Sequence, residues 1–162
     1  MTKPRSSEAS SLNLTIVIAA PPSRVLAAFF DREALGAWWQ VVQSITTPRP
    51  LGPYVIEWQP TEFRDEILGR LGGVFRGIVM SFQPGRGFFV ADGFWIPPDG
   101  EPIGPMALEV TCLSEGHEPN NQTTLHIVQN GCDDSLRWRR YYEVIGYGWE
   151  RALASLKALL EQ

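Results

Sequence analysis

Few side chains in this sequence have the chemistry of a reaction centre, and the one whose setting is most suggestive is Asp92. In the run Phe88, Val90, Asp92, Phe94 it alternates with apolar residues, so a strand in that phase places its carboxylate among them. If the same face borders a cavity, the carboxylate is partly desolvated and its pKa rises. It could then hold the polar end of a ligand or transfer a proton. The opposite phase, with Phe89, Ala91, Gly93 and Trp95 inward, leaves it in solvent, and the sequence leaves both phases open. Glu57, between Ile56 and Trp58, carries the same ambiguity. His117 falls in a turn between Glu115 and Glu118, and His126 alternates with Leu125 and Ile127, so both histidines read as surface residues. Cys112 and Cys132 lack metal-site spacing and read as reduced thiols. There is no nucleophile elbow and no glycine-rich phosphate loop. The expectation is no metal, no cofactor and no established catalytic residue, with Asp92 the candidate acid or base; a non-enzyme is the favoured reading.

The aromatic residues are more informative, because six Trp and eight Phe in 162 residues are many. Trp38, Tyr54, Trp58, Phe82, Trp95, Tyr142 and Trp149, with Ile145 on the same helix face, are expected around a cavity, and Gln129 is its hydrogen-bonding group. Each alone suits core packing. As a set they suit a planar or polycyclic hydrophobic guest. The net charge of −4 argues against nucleic acid as a partner, and the cluster Arg137, Arg139, Arg140 beside Asp133 and Asp134 reads as a solvated face. Lys3 and Arg5 ahead of the apolar run Leu14 to Ala20 imitate a secretory signal, but the run stops at Pro21-Pro22. It reads instead as the first strand of a cytoplasmic protein. No segment approaches the roughly 20 apolar residues of a membrane span.

These residues must be positioned by one domain, residues 11–162, behind a polar tail of residues 1–10. From Asp134 to Gln162, Trp138, Tyr142, Ile145, Trp149, Ala152, Leu153, Leu156 and Leu160 share one helix face, while Arg140, Glu143, Tyr147, Glu150 and Arg151 share the other. Asp133, Asp134 and Ser135 offer oxygens to its first amides. Gly146 and Gly148 sit on the shoulders of the apolar face, where a missing Cβ admits a close backbone or leaves room for a ligand; packing is the favoured reading. Upstream, Leu12 to Ile18 alternates as a strand, Pro22 to Phe30 reads as a helix, and Asp31 caps a second helix ending at Trp38-Trp39. Ile45 to Thr47, Tyr54 to Trp58, Val74 to Gln83, Phe88 to Trp95, Ala107 to Leu113 and Thr123 to Asn130 read as strands. Residues 60–73 are irregular, with a helical turn expected near Phe63 to Leu71, and Ile96 to Pro105 is a loop able to flap over an opening. Hairpin strands with one face to bury and one long helix give an α+β fold. A curved antiparallel sheet of six to seven strands wraps the C-terminal helix, with two short helices after the first strand and a cavity between sheet and helix.

The string Ile18 to Val25 running to Phe29, Asp31, Leu35 and Trp38, then Gly77-Ile78-Val79 with Phe82 and Pro84, then Val110-Thr111, Thr123 to Gly131, and finally Gly148-Trp149 with Leu153, Leu156 and Leu160, resembles the Hsp90-ATPase-activator-homologue group of the START-like (SRPBCC) superfamily. The resemblance covers nearly the whole chain after the tail. It implies the helix-grip fold and a deep apolar pocket holding a hydrophobic, aromatic or lipid-like small molecule, and it implies no shared catalytic residues. Gln129 stands where a histidine is common in the group. Two alternatives follow from the same resemblance. One is a polyketide cyclase or aromatase using the pocket, with Asp92 as its titrating group. The other, less favoured, is a chaperone regulator of the Hsp90-ATPase type, since the eukaryotic namesakes carry a further N-terminal domain not seen in this sequence. A role in stress response belongs to that second alternative, and homodimerisation stays open.

Overall fold

The computed structural model describes residues 11–114, 121–131 and 133–162; the expectations for the tail, for His117 and for Cys132 fall outside the described residues. The chain runs β1 (Leu12–Ile18), α1 (Pro22–Ala27), α2 (Arg32–Trp38), β2 (Val41–Thr46), β3 (Pro53–Trp58), β4 (Arg64–Asp65), β5 (Gly69–Arg70), β6 (Gly73–Gln83), β7 (Gly87–Ile96), β8 (Ile103–Ser114), β9 (Thr123–Asn130) and α3 (Leu136–Leu160). Seven strands form one sheet in the order β1-β9-β8-β7-β6-β3-β2, every neighbouring pair antiparallel. From β3 to β9 the chain adds each long strand beside the last, and β1 closes the far side by pairing with β9, Leu12 opposite Gln129 and Ile18 opposite Thr123.

One face of this sheet buries alternate residues, among them Tyr54, Ile56, Val79, Phe88, Val90, Leu108, Val110, Leu125 and Ile127, and α3 lies across it. The helix starts where Ser135 Oγ accepts the Trp138 amide at 3.2 Å, while the Asp133 carboxylate instead receives the Ser135 amide just outside the helix. Its last turns are the firmly held part. Leu153, Leu156 and Leu160 are buried, and each such leucine is worth about 1.5–3 kcal/mol of apolar burial. Around them Lys157 Nζ donates to the Val17 carbonyl at 2.8 Å, Glu161 Oε2 accepts the Ala19 amide at 2.7 Å, and Arg24 Nη1 donates to the Leu160 carbonyl at 3.0 Å. The short helices brace the other side. Asp31 caps α2 by accepting the Ala34 amide at 2.8 Å, and α2 spans from the edge strand β2 to α3.

Five details differ from the sequence reading. The α1 helix ends at Ala27, and β2 starts at Val41, well before the expected Ile45, because it pairs with β3 from Val41 to Thr46 around an irregularity at Val42. The β8 strand begins inside the expected loop, at Ile103. Residues 60–73 form no helical turn; Arg64-Asp65 pair with Gly69-Arg70 in a miniature hairpin. It is organised by Asp65 Oδ2, which accepts the amides of Ile67 and Leu68 at 3.1 and 3.0 Å, the self-capping turn that aspartate favours. The fifth concerns β7. Its register against β6 and β8 shifts after Val90, and Asp92 sits in the shift with φ +56°. A bulge there lets Phe88 and Val90 point inward before it and Gly93 and Trp95 after it. Each of the two alternative phases is therefore right for half of the strand.

Candidate functional site

Between the sheet and the N-terminal two thirds of α3 lies a cavity of about 850 Å³. Its sheet wall is Phe75, Trp95, Leu108 and Gln129; its helix wall includes Tyr141, Val144, Ile145, Gly148, Trp149, Ala152 and Ser155. Trp38 and Trp39 at the end of α2, and Trp58 at the end of β3, close one side, while the β4–β5 hairpin contributes Phe63, Asp65, Leu68 and Leu71 at the rim. The cavity exists because of what α3 omits. Gly148, Ala152 and Ser155 follow one another up one shoulder of the helix at the spacing of a single stripe, and a Cβ added at Gly148 would meet no atom within 4 Å. At Gly146 such an atom would meet only Leu12 Cδ1, at an ordinary 3.8 Å. Neither glycine is there for a close backbone approach, which overturns the favoured packing reading; Gly148 leaves room.

The indoles form the lining's rigid part. Trp39 stacks on Trp38 with ring centroids 4.8 Å apart and lies 4.7 Å from Trp149 and 5.5 Å from Trp58. Several of these rings are fixed by their N–H groups: Trp38 donates to the Ala28 carbonyl, Trp58 to the Trp39 carbonyl and Trp95 to the Gly72 carbonyl, at 2.9, 3.0 and 2.7 Å. Deeper in, Trp149 Nε1 donates to Gln129 Oε1 at 3.0 Å, Gln129 Nε2 donates to the Tyr141 hydroxyl at 3.1 Å, and Tyr141 stacks on Trp95 at 5.4 Å. Burial pushes the Tyr141 phenol pKa up, opposed in part by the Gln129 hydrogen bond, so the phenol stays protonated.

One ion pair bridges the rim. Asp65 Oδ1 accepts from Arg140 Nε at 2.9 Å and Nη2 at 2.6 Å, and Arg140 Nη1 reaches Glu143 Oε1 at 3.0 Å. The Asp65 carboxyl is buried, yet the Arg140 hydrogen bond, with help from the Leu68 and Ile67 amides, outweighs desolvation and lowers its pKa to about 2. Arg140 is thus a fastener between α3 and the hairpin, which corrects its reading as part of a solvated face. Arg137 likewise donates to the Glu101 carbonyl, and Arg64 pairs with Asp99 at 2.9 Å, so the loop before β8 is tied to both α3 and the hairpin.

Of the residues expected at the site, the fold gathers Trp38, Trp58, Trp95, Gln129, Ile145 and Trp149 around the cavity. It places the other four elsewhere. Tyr54 is fully buried, its hydroxyl donating to the Phe29 carbonyl at 2.8 Å, and Phe82 packs on Phe30 at 5.4 Å beside it. Tyr142 turns to the opposite shoulder of α3 and donates to the Gly131 carbonyl at 2.9 Å. Asp92 is exposed on the outer face of the bulge and cannot reach the cavity. His126 is on the outer face as expected, 2.6 Å from Asn13 Oδ1. Trp39, Tyr141 and the Asp65–Arg140 pair were missed. The small-residue stripe Gly148, Ala152, Ser155, flanked by Tyr141 and Val144, was the available signal that the cavity follows a shoulder of α3 and not the centre of its apolar face.

A sheet curled around one long helix, with a cavity between them, defines a START-like helix-grip protein. Residues 19–161 match the family described as Activator of Hsp90 ATPase homolog 1-like protein, and the chain belongs to that family. A Chromobacterium violaceum protein of 26% identity shares the fold with a TM-score of 0.63, over 94% of this chain and 98% of that one. A Mycobacterium smegmatis protein of 16% identity superposes with a TM-score of 0.71, over 96% and 93% of the two chains. The Aha1 protein from Colwellia psychrerythraea, a dimer in solution, is 22% identical with a TM-score of 0.57, over 93% and 96%. No curated protein matches the sequence. Among the described residues no helix is long and apolar enough to cross a membrane, and no group of His, Cys, Asp and Glu is arranged to hold a metal ion.

Proposed function

We propose that this protein binds an apolar, largely planar small molecule in the cavity between α3 and the sheet. The observation that carries the reading is the cavity itself: about 850 Å³, lined by five tryptophans and by aliphatic side chains, with its polar groups confined to one deep cluster and to the rim. That volume lies within the roughly 300–1,000 Å³ of small-molecule sites, and its mostly apolar wall with a few placed polar groups is what such sites share. Indole faces set at several angles around one space suit a flat or polycyclic guest better than a single flexible acyl chain. The cyclase alternative depended on Asp92, which lies outside the cavity, so no observation favours it. Dimerisation, a property of the Colwellia relative, is for this chain a proposal that light scattering would check.

The test is a panel of fatty acids, flavonoids and aromatic polyketides, read by thermal unfolding and tryptophan quenching. A guest present at a hundred times its dissociation constant contributes about 2.7 kcal/mol, which raises the midpoint of a domain this size by about 5–10 °C. Quenching should saturate at the same concentrations, because the indoles are the wall. If no compound moves either signal, the binding reading fails.

A further inference from the structure

The buried hydrogen-bonding groups at the deep end of the cavity do not balance. Trp149 Nε1–H can only donate, so the Gln129 amide atom 3.0 Å from it is the oxygen, and the amide nitrogen must face Tyr141. That nitrogen has only hydrogens to offer. The Tyr141 hydroxyl therefore accepts, and its own proton has to point elsewhere. Among the described residues its one remaining partner is Met106 Sδ at 3.5 Å, and the same sulfur already faces Gln129 Nε2 at 3.0 Å. A thioether is a weak acceptor. Two buried donors, a phenol and an amide, thus share one poor acceptor, and both belong to residues that line the cavity. Buried donors are ordinarily matched to oxygen, and here two of them are left to a sulfur.

We infer that the ligand is an aromatic or polycyclic molecule carrying a neutral hydrogen-bond acceptor, a ketone, quinone or ester carbonyl, which takes its hydrogen bond from the Tyr141 hydroxyl. This rests on the binding function proposed above and specifies the chemistry of its ligand. The acceptor is neutral because the cluster's hydrogen bonds involve no cation: Arg140, the basic side chain nearest it in sequence on α3, is committed to Asp65 and Glu143, Arg151 on the cavity wall is exposed to solvent, and an unpaired carboxylate beside Trp149 would carry the full cost of desolvation. The donor is pre-aimed. Stacking on Trp95 and edge contact with Tyr142 at 5.4 Å fix the ring, so the bond needs only rotation of the hydroxyl proton away from a distant sulfur.

Fluorene and fluorenone test this, since they share one planar skeleton and differ by a carbonyl. Water-to-hydrocarbon transfer alone favours fluorene, so a preference for the ketone is diagnostic. By tryptophan quenching, the native protein should bind fluorenone about fivefold more tightly than fluorene, the effect of one net hydrogen bond. Tyr141→Phe should abolish the preference, the ratio of the two affinities falling to one or below. In the infrared, the ketone stretch of bound fluorenone should sit at lower wavenumber in the native protein and revert in the variant, a readout that altered packing would not give. Equal or weaker binding of the ketone in the native protein overturns the inference and leaves the cavity reading standing, and that comparison holds even if the variant does not fold. A preference and a shifted stretch that both survive in a folded Tyr141→Phe also overturn it. Failure of both compounds to saturate the quenching overturns the inference, and overturns the binding reading with it when the wider panel is silent too.

Discussion

Asp65 accepts hydrogen bonds from Arg140 Nε and Nη2 on one oxygen and from the amides of Ile67 and Leu68 on the other. Removing it undoes a turn and a fastener together. Asp65→Ala should cost about 2 kcal/mol in urea unfolding, since it strands buried amides as well as the guanidinium. The same group sets an acid limit. Its folded pKa, about 2, lies below the ordinary value of 3.8, so the unfolded chain takes up a proton first as pH falls. The stabilisation is complete above about pH 4 and is lost progressively as pH falls toward 2. Unfolding midpoints measured from pH 6 down to pH 2 should fall more steeply for the native protein than for Asp65→Ala. Asp92 is the contrasting carboxylate. Asparagine tolerates its left-handed backbone as well as aspartate does, so Asp92→Asn should leave both stability and ligand affinity unchanged. Its phase was not legible because one bulge inverts which face each residue takes, and period-two alternation has no term for an inserted residue.

At the scale of the element, α3 carries the more general lesson. Its apolar face and its start at Ser135 follow from the spacing of Trp138, Tyr142, Trp149, Leu153, Leu156 and Leu160, and all of these are buried. What that spacing does not express is empty space. The cavity runs along Gly148, Ala152 and Ser155, where side chains are small, and a wheel weighted by hydrophobicity gives small residues no voice. The succession of hairpin strands was readable for the same reason as the helix, because hairpin turns such as Pro84 to Arg86 and strict alternation in β1, β3 and β9 are local, whereas the pairing of β1 with β9 is not. Arg140 was misread because its partner lies in a two-residue strand whose pairing is set by Asp65 and not by propensity. Gly148 turns this into a measurement. With nothing within 4 Å of its missing Cβ, Gly148→Ala should stabilise the ligand-free protein by about 1 kcal/mol through helix propensity and reduced freedom of the unfolded chain. The added methyl group intrudes on the cavity, so the ligand-induced rise in midpoint should shrink while the baseline midpoint rises. A baseline that falls would mean that the space at Gly148 is not open.

For the whole molecule the two ends of α3 set different demands. Its C-terminal turns are joined to β1 and α1 by buried leucines and by the bonds of Lys157, Glu161 and Arg24, so that end opens only with the fold. Its N-terminal turns stand over the cavity and reach the rim through side chains: Arg140 to Asp65 and Arg137 to the Glu101 carbonyl. The hairpin they hold is a pair of two-residue strands, a sheet of its own apart from the seven-stranded one, with Phe63 and Ile67 exposed and Leu68 its one side chain in the hydrophobic core among the described residues. Few buried contacts and a short ladder make this the low-stability end of the molecule. Opening of residues 60–73 would lift Phe63, Leu68 and Leu71 from the cavity wall while breaking few interactions, which makes it the expected route of entry for a large guest. Amide hydrogen exchange should therefore show the Ile67 and Leu71 amides exchanging far faster than those of β8 and β9 in the free protein. Asp65→Ala should accelerate them further without changing exchange in β8 and β9 beyond its effect on global stability. Saturation with a ligand should slow the hairpin amides by more than it slows the sheet, because a guest touching Leu68 and Leu71 is lost whenever they leave. Uniform protection across hairpin and sheet would place the entrance elsewhere, on the open side beside Trp39, Gln40 and Tyr147.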